Sequence, residues 1–92
     1  MPQQTLLMIV NPRAGRNKPP APLFDAAAIF CESGYLLSIH RTTAPGDAAA
    51  YAAREGGQYD VVVAVGGDGT LNEVACGPMQ LQHPPLLGYL PQ

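Results

Sequence analysis

The most constraining feature of this 92-residue chain is a run of five apolar residues, 61–65, followed directly by a Gly-Gly-Asp-Gly turn at 66–69. Four of the five are valine, and a β-branched run without a polar residue is typical of a strand buried on both faces. After the turn, Leu71, Val74 and Ala75 recur at helical spacing. The sequence therefore predicts a central strand, a glycine-rich turn and a helix, in that order.

Three more strands and two more helices alternate along the rest of the chain. Each predicted strand is a short apolar run beside turn residues, and each predicted helix has apolar or alanine-rich helical spacing with a glycine after it. Gly34 and Gly56 follow the two helices, and Asp47 is well placed to cap the start of the second. The strands are predicted at residues 6–10, 35–40 and 86–90, and the helices at 23–33 and 48–55.

This alternation predicts a three-layer α/β fold, in which a mostly parallel sheet of about four strands carries helices on both faces. At 92 residues the chain forms one domain. If the strand order is 2-1-3-4, the order reverses between the first and third strands, and ligands bind beyond the carboxyl ends of the strands at such a point. The loops that leave these strands, residues 11–16 and 66–70, would then face each other.

The glycine-rich turn suits phosphate binding. Without β-carbons, its backbone N–H groups can approach a phosphate closely, and a helix starting near Thr70 adds the positive end of its dipole. A structural use is also compatible with the residues, because Thr70 and Glu73 have the spacing of a capping box. Asp68 either holds Mg²⁺ or shapes the turn by accepting backbone hydrogen bonds.

Basic residues are concentrated in the loop after the first strand. Arg13, Arg16 and Lys18 lie there, whereas the net charge of the whole chain is −2. A chain with this charge lacks the basic face that nucleic acid requires, so we expect no nucleic-acid partner and only local anion binding. Thr42, at the end of the second strand, supplies a hydroxyl at the same edge of the sheet.

Neither the histidines nor the cysteines indicate a catalytic or metal site. No carboxylate or nucleophile is spaced to serve His40 or His83, so we expect ordinary strand-end and loop histidines. Cys31 and Cys76 fall inside apolar helical patterns, which favours buried, reduced thiols over a disulfide. No cluster of cysteine and histidine has the spacing of metal ligands.

Three motifs together resemble one known family. The segment GGDGTLNEV at residues 66–74 is preceded by Asn11-Pro12-x-x-Gly15 and by Thr42-x-x-x-Gly46-Asp47-Ala48. In this order and at these separations, the motifs are similar to those of the diacylglycerol kinase catalytic domain family, which includes bacterial lipid kinases and sphingosine kinases. The GGDGT motif alone is also compatible with NAD kinases and phosphofructokinases, but the other two segments favour the lipid-kinase branch.

The resemblance implies ATP-dependent phosphorylation of a lipid hydroxyl, on a diacylglycerol-like or sphingoid substrate. It implies a Rossmann-like domain, of the kind that begins the NAD kinase and diacylglycerol kinase folds. ATP and Mg²⁺ are the implied cofactors, and Asp68 is the implied catalytic residue. By their positions in the motifs, the implied ATP-binding residues are Asn11, Arg13, Gly15, Thr42, Gly66, Gly67, Asp68, Gly69, Thr70, Leu71, Asn72 and Glu73.

The sequence stops before two features that the resemblance implies. In the family, the fourth strand runs into Pro-x-Gly-Thr-x-Asn-Asp, and a β-rich domain then forms the lipid pocket and carries the general base. Here the last residues are Leu90-Pro91-Gln92. We therefore expect residues 1–92 to be the N-terminal, ATP-binding part of a truncated catalytic domain, inactive as a kinase by itself. An exposed fourth strand also leads us to expect self-association.

No apolar run approaches the roughly 20 residues of a membrane span, so we expect a cytoplasmic protein, with peripheral membrane association of the intact enzyme. Two other functions stay open. An NAD kinase-like enzyme shares the glycine-rich loop but acts on a soluble dinucleotide. A non-catalytic nucleotide-binding or interaction module would keep the fold without the missing C-terminal part.

Overall fold

Four parallel strands form the sheet, in the order β2-β1-β3-β4. The computed structural model describes residues 3–12, 21–78 and 81–91. In chain order the elements are β1 (Thr5–Val10), α1 (Ala21–Glu32), β2 (Leu36–Arg41), α2 (Asp47–Glu55), a short 3₁₀ helix (Gly56–Gln58), β3 (Val61–Gly66), α3 (Asp68–Cys76) and β4 (Leu86–Pro91). The predicted α/β class and the predicted strand order are both confirmed.

β1 and β3 lie at the centre of the sheet because their apolar runs can be buried on both faces. The side chains of residues 6–9 and 62–65 are all buried. Leu6 is in register with Val61 on β3 and with Leu37 on β2. β2 and β4 are the edge strands, and none of their residues is fully buried.

Helices cover both faces of the sheet. α2 and α3 pack Ala52 and Val74 against the face that buries Leu7. α1 packs Leu23 and Phe30 against the opposite face. Because parallel strands need long crossovers, each connection places a helix on a face, and the sheet becomes the middle of three layers.

The starts of two helices differ from the prediction. Gly46 caps α2 with a left-handed backbone (φ 86°), and Asp47 is the first helical residue rather than the cap. α3 begins at Asp68 after the cap Gly67, so Thr70 and Glu73 do not form a capping box. In both helices a glycine takes the cap position, and the acidic residue after it places its charge in the first turn, where it complements the helix dipole. The predicted stop at Gly34 is confirmed, with φ 97°.

Cys31 and Cys76 are free thiols, as predicted, but both are exposed, so the prediction that they are buried is wrong. Each cysteine lies away from the side of its helix that faces the core. That core-facing side is narrower than the apolar pattern of the sequence indicates. None of the helices in the described ranges is long and apolar enough to cross a bilayer.

Candidate functional site

The loops that follow β1 and β3 meet at the carboxyl edge of the sheet. The Asn11 amide donates to the carbonyl of Val65 at 2.9 Å. The side-chain Nδ2 of Asn11 donates to Oγ1 of Thr70 at 3.3 Å, and Thr70 is only 3% exposed. These contacts form a buried junction between the two loops, as the predicted strand order requires.

Gly66 makes this close approach possible. Its φ is +155°, and a β-carbon there would lie 2.7 Å from Oγ1 of Thr70 and 3.2 Å from Cβ of Asn11. No larger residue fits without moving one of the two loops. Gly66 therefore has a structural role at the junction.

Gly67 and Gly69 are in a different situation, because a β-carbon at either position would meet no described atom within 4 Å. In the first turn of α3, the amides of Thr70 and Leu71 donate to the carbonyl of Gly67 at 3.1 and 3.2 Å. The preceding amides, of Asp68 and Gly69, have no backbone acceptor within the described ranges. Unpaired first-turn amides beside open space are a favourable place for an anion, since the helix dipole adds to their partial charge.

A cleft of about 510 Å³ opens beside the junction. This volume falls within the roughly 300 to 1,000 Å³ of small-molecule sites. The end of β1, the end of β2 with the loop after it, the start of α2 and the first turns of α3 all contribute. The lining residues are Asn11, Pro12, Arg41, Thr42, Thr43, Ala44, Pro45, Ala48, Thr70 and Glu73.

Two charged side chains line the cleft among the described residues, Glu73 and Arg41. Oε1 of Glu73 is buried and has no hydrogen-bond partner in the part of the chain that the structure describes. Because buried polar atoms are nearly always hydrogen-bonded, this oxygen is an acceptor suited to a hydroxyl or amino group of a ligand. Arg41 is exposed at the end of β2 and offers a positive charge to an anion.

Asp68 does not line the cleft; it lies exposed in the first turn of α3. Its Oδ1 accepts a hydrogen bond from the Tyr89 hydroxyl at 3.2 Å. Burial raises the pKa of Tyr89, and the Asp68 carboxylate raises it further, so the hydroxyl remains a donor at neutral pH. The β4 strand thereby orients the one carboxylate of the glycine-rich turn.

His40 has a carboxylate partner, so the prediction that no carboxylate serves it is wrong. Its Nε2 lies 3.3 Å from Oδ2 of Asp47, and the same oxygen accepts the Thr43 amide at 2.8 Å. The Thr43 hydrogen bond, with a smaller contribution from His40, lowers the pKa of Asp47 against the opposing effect of burial. Seven residues separate His40 from Asp47, so their contact depends on how α2 packs against β2.

The cleft brings together part of the predicted ATP-binding set. The members that line it are Asn11, Thr42, Thr70 and Glu73. Gly66 supports the junction, and residues 67–69 form the adjacent turn. Leu71 packs against the hydrophobic core and Asn72 is exposed, so neither side chain lines the cleft. The predicted residues Arg13, Gly15, Arg16 and Lys18 lie outside the described residues.

Arg41 is a candidate that sequence reasoning missed. It looks like one isolated basic residue in the sequence, yet it lines the cleft beside Thr42. The available signal was its position at the last residue of β2, because the carboxyl ends of parallel strands share one edge of the sheet.

Similarity to known proteins decides the family. Residues 5–92, which contain all four strands and both loops, match the diacylglycerol kinase catalytic domain. The chain belongs to the diacylglycerol kinase catalytic domain family. The resemblance inferred from the three motifs is thereby confirmed.

Individual diacylglycerol kinases are similar along nearly the whole chain. The diacylglycerol kinase of Bacillus subtilis (strain 168) is 41% identical over 86 residues, which is 91% of this chain and 28% of that protein. The diacylglycerol kinase of Staphylococcus aureus (strain bovine RF122 / ET3-1) is 40% identical over 85 residues, which is 91% of this chain and 27% of that protein. A crystal structure of a diacylglycerol kinase from Bacillus anthracis str. Sterne superposes with a TM-score of 0.79 at 32% identity, covering 99% of this chain and 34% of that one. The chain thus spans between about a quarter and a third of the diacylglycerol kinases it matches.

Proposed function

We propose that this chain is the ATP-binding portion of a lipid kinase of the diacylglycerol kinase type. The observation that carries the proposal is the junction of Asn11 with Thr70, which places a polar cleft and an open glycine-rich turn side by side at the switch point of the sheet. Membership of the diacylglycerol kinase catalytic domain family supports a phosphoryl donor as the ligand.

The turn at residues 67–69 would hold the phosphates. Its glycines leave space that the described part of the protein does not fill, and the amides of Asp68 and Gly69 are available as donors. Phosphoryl transfer asks a protein mainly for positioning and for stabilisation of charge, which backbone amides at a helix start supply. Arg13 and Gly15 belong to the same proposed phosphate region through the family motif.

The cleft would hold the nucleoside. The buried Oε1 of Glu73 accepts a hydrogen bond from a ribose hydroxyl or the adenine amino group, while Thr42 and Thr70 offer hydroxyls on neighbouring walls. Asn11 ties one wall to the start of α3. A buried acceptor in a cleft that is also lined by threonines favours a ligand with several donors and acceptors over an apolar one.

Mg²⁺ fits this arrangement only as an ion bound chiefly by the nucleotide. Within the described ranges, no group of three or more histidine, cysteine, aspartate or glutamate side chains could hold a metal ion. Mg²⁺ usually keeps several waters and takes one or two carboxylates together with substrate phosphates. Asp68, exposed and oriented by Tyr89, is the proposed carboxylate, and the ion would neutralise phosphate charge there.

Residues 1–92 supply the nucleotide side of the reaction in this proposal, and a further β-rich domain supplies the lipid side. Because the proposal assigns the general base and the lipid pocket to that further domain, we expect no kinase turnover from residues 1–92 alone. In a longer protein that carries this domain, diacylglycerol or a sphingoid lipid should accept the γ-phosphate, whereas phosphorylation of NAD would favour the NAD kinase-like alternative.

Titration calorimetry of the purified chain with MgATP and MgADP tests the nucleotide site. We expect saturable binding that weakens at least about tenfold in Gly67→Val, since the side chain would fill the space reserved for phosphate. The variant should fold, because Gly67 has extended backbone and, apart from its chain neighbours, no described atom lies within 4 Å of its β-carbon position. Ala28→Val, on α1 at the opposite face of the sheet, is the matched control. Absence of binding by the wild-type chain, or equal binding by Gly67→Val, would overturn the proposal.

A further inference from the structure

Two side chains of α3 line the cleft with hydrogen-bonding capacity that the described part of the chain leaves unused. Oγ1 of Thr70 accepts a hydrogen bond from Asn11 at 3.3 Å, and its own O–H has no acceptor within the described ranges. Oε1 of Glu73 is buried and also without a partner there. Residues three positions apart on a helix are neighbours on one face. A donor and an acceptor therefore lie side by side on one wall of the cleft.

This pair suits a hydroxyl group better than an amino group. A hydroxyl can accept the Thr70 O–H and donate to Glu73 at the same time, because it has one proton and two lone pairs. The amino group of adenine is conjugated with its ring and only donates, so it would leave the Thr70 O–H unpaired. Rotation about the last side-chain bond of Glu73, whose energy minimum is broad, turns either carboxylate oxygen toward a ligand.

The position of the pair along α3 also favours the sugar of a nucleotide. The amides of Asp68 and Gly69, the proposed phosphate site, lie in the first turn, and Glu73 follows about one turn later. Helical side chains lean toward the N-terminus, which directs the Glu73 carboxylate back over the first turn. In a nucleoside phosphate the ribose separates the phosphates from the base. A group this close to the phosphate site therefore meets the ribose before the base.

Among the described residues, the rest of the cleft distinguishes poorly between bases. The Thr43 hydroxyl is hydrogen-bonded to Asp47 at 3.3 Å, and the next two residues, Ala44-Pro45, have apolar side chains. The Thr42 hydroxyl rotates, so it can donate to one base and accept from another. Arg41 is exposed at the end of β2, and its planar guanidinium can stack on any base.

We propose that Glu73, assisted by the Thr70 hydroxyl, binds a ribose hydroxyl, so that the site selects its nucleotide by the sugar and only weakly by the base. This assignment rests on the proposed nucleotide function and specifies which part of the nucleotide the site recognises. A ribonucleotide satisfies both side chains. A deoxynucleotide that lacks the contacted hydroxyl leaves a donor and an acceptor unpaired, and unpaired buried groups lower affinity.

Titration calorimetry of the wild-type chain with the magnesium complexes of ATP, 2′-deoxy-ATP, 3′-deoxy-ATP and GTP tests this selection. At least one deoxynucleotide should bind about tenfold or more weakly than ATP, the scale of a lost hydrogen bond to a charged group. GTP should bind within about threefold of ATP, because stacking depends little on the base. Equal binding of ATP and both deoxynucleotides overturns the sugar contact, and a larger preference for ATP over GTP overturns the weak selection by the base.

A variant assigns the sugar contact to Glu73. In Glu73→Ala, ATP and the disfavoured deoxynucleotide should bind within about threefold of each other, because the interacting partner of the hydroxyl is gone. Glu32→Ala makes the same change at an exposed position on α1 and is the matched control, which should keep the wild-type preference. A Glu73→Ala variant that keeps the full preference for the ribonucleotide overturns the proposal.

Two further outcomes separate this proposal from the proposed function. If no nucleotide binds to the wild-type chain, the nucleotide function fails, and the selection by the sugar fails with it. If nucleotides bind with a preference for ATP over GTP that Glu73→Ala removes, and without any preference for the sugar, Glu73 contacts the base. The nucleotide function then stands, and only the assignment of Glu73 to the ribose is overturned.

Discussion

Gly66 and Gly67 are neighbours in one turn, but an added methyl group would meet very different surroundings at the two positions. At Gly66 it would press against Thr70 and Asn11, within 3.2 Å of both, and the backbone has a positive φ. At Gly67 it would meet no described atom within 4 Å. The first glycine is required by the fold, whereas the space beside the second is open among the described residues.

We expect Gly66→Ala to lower the free energy of unfolding by about 2 to 4 kcal/mol, because it combines backbone strain with a clash at a buried junction. Gly67→Ala should change it by less than about 0.5 kcal/mol, as at an unconstrained surface position. Urea unfolding of both variants measures the two changes in the free energy of unfolding. Equal stability of the two variants would show that the junction does not need the space left by Gly66.

Asp47 makes stability depend on pH in the acid range. Its pKa is lowered chiefly by the Thr43 amide, so its ionised form is favoured in the folded state. The sign follows from linkage: this contribution is complete above the ordinary aspartate range and is lost as the pH falls through the lowered pKa. Asp47→Asn should therefore be less stable than the wild type at pH 6, and the difference should shrink toward pH 3. Urea midpoints measured across this range give the result, and a difference independent of pH would contradict it.

At the scale of elements, α2 and α3 pack closely because glycine lies at their contact. A β-carbon on Gly77, at the end of α3, would lie 2.8 Å from Cα and 2.9 Å from Cβ of Ala53 on α2. The nearest atom belongs to the backbone, so no side-chain rotation relieves the clash. This contact fixes the distance between the two helices that together build one side of the cleft.

Gly77→Ala should accordingly destabilise the protein by about 1 to 3 kcal/mol, the range for overpacking a close contact. The neighbouring substitution Cys76→Ala, at an exposed position, is the matched control and should have little effect. Thermal or urea unfolding of the two variants measures the difference in their stability. A Gly77→Ala variant as stable as Cys76→Ala would mean that α3 can move away from α2 without cost.

At the scale of the whole molecule, the sheet has two edges, and large apolar side chains remain in solvent near them. Leu86 at the start of β4 is 73% exposed, and Leu36 on β2 is 56% exposed. Edge strands offer unpaired backbone groups to other chains, and charged residues usually limit such pairing. The described part of β4 contains no charged residue.

We therefore expect the 92-residue chain to self-associate at high concentration, as the sequence led us to expect. Leu86→Lys should weaken the association, because it adds a charge to the β4 edge and removes little buried area. Phe24→Lys, at a residue 71% exposed on α1, is the matched control and should leave edge pairing intact. Sedimentation velocity over a range of concentrations measures all three proteins. A wild-type chain that is monomeric throughout would contradict the expectation.

Several contacts of the site could not be predicted from local sequence. Thr70 and Glu73 have capping-box spacing, but Thr70 instead accepts a hydrogen bond from Asn11, 59 residues earlier in the chain. His40 and Asp47 are separated by seven residues, and only the packing of α2 against β2 brings them together. Arg41 enters the cleft because β2 ends at the same edge as β1. The predicted strand order brings the loops to one edge of the sheet, but which side chains meet there depends on how the separate elements pack.

The sequence by itself predicted three features of the fold: the buried strands β1 and β3, the end of α1 at Gly34 and the turn after residue 65. Burial on both faces, left-handed backbone and tight turns each require particular residue types over a few positions. The tertiary structure alone decided which polar groups meet at the carboxyl edge: Thr70 with Asn11, His40 with Asp47, and Glu73 with an open cleft. The reason is physical, because burial is a property of each element's own residues, whereas contacts between loops depend on how separate elements pack.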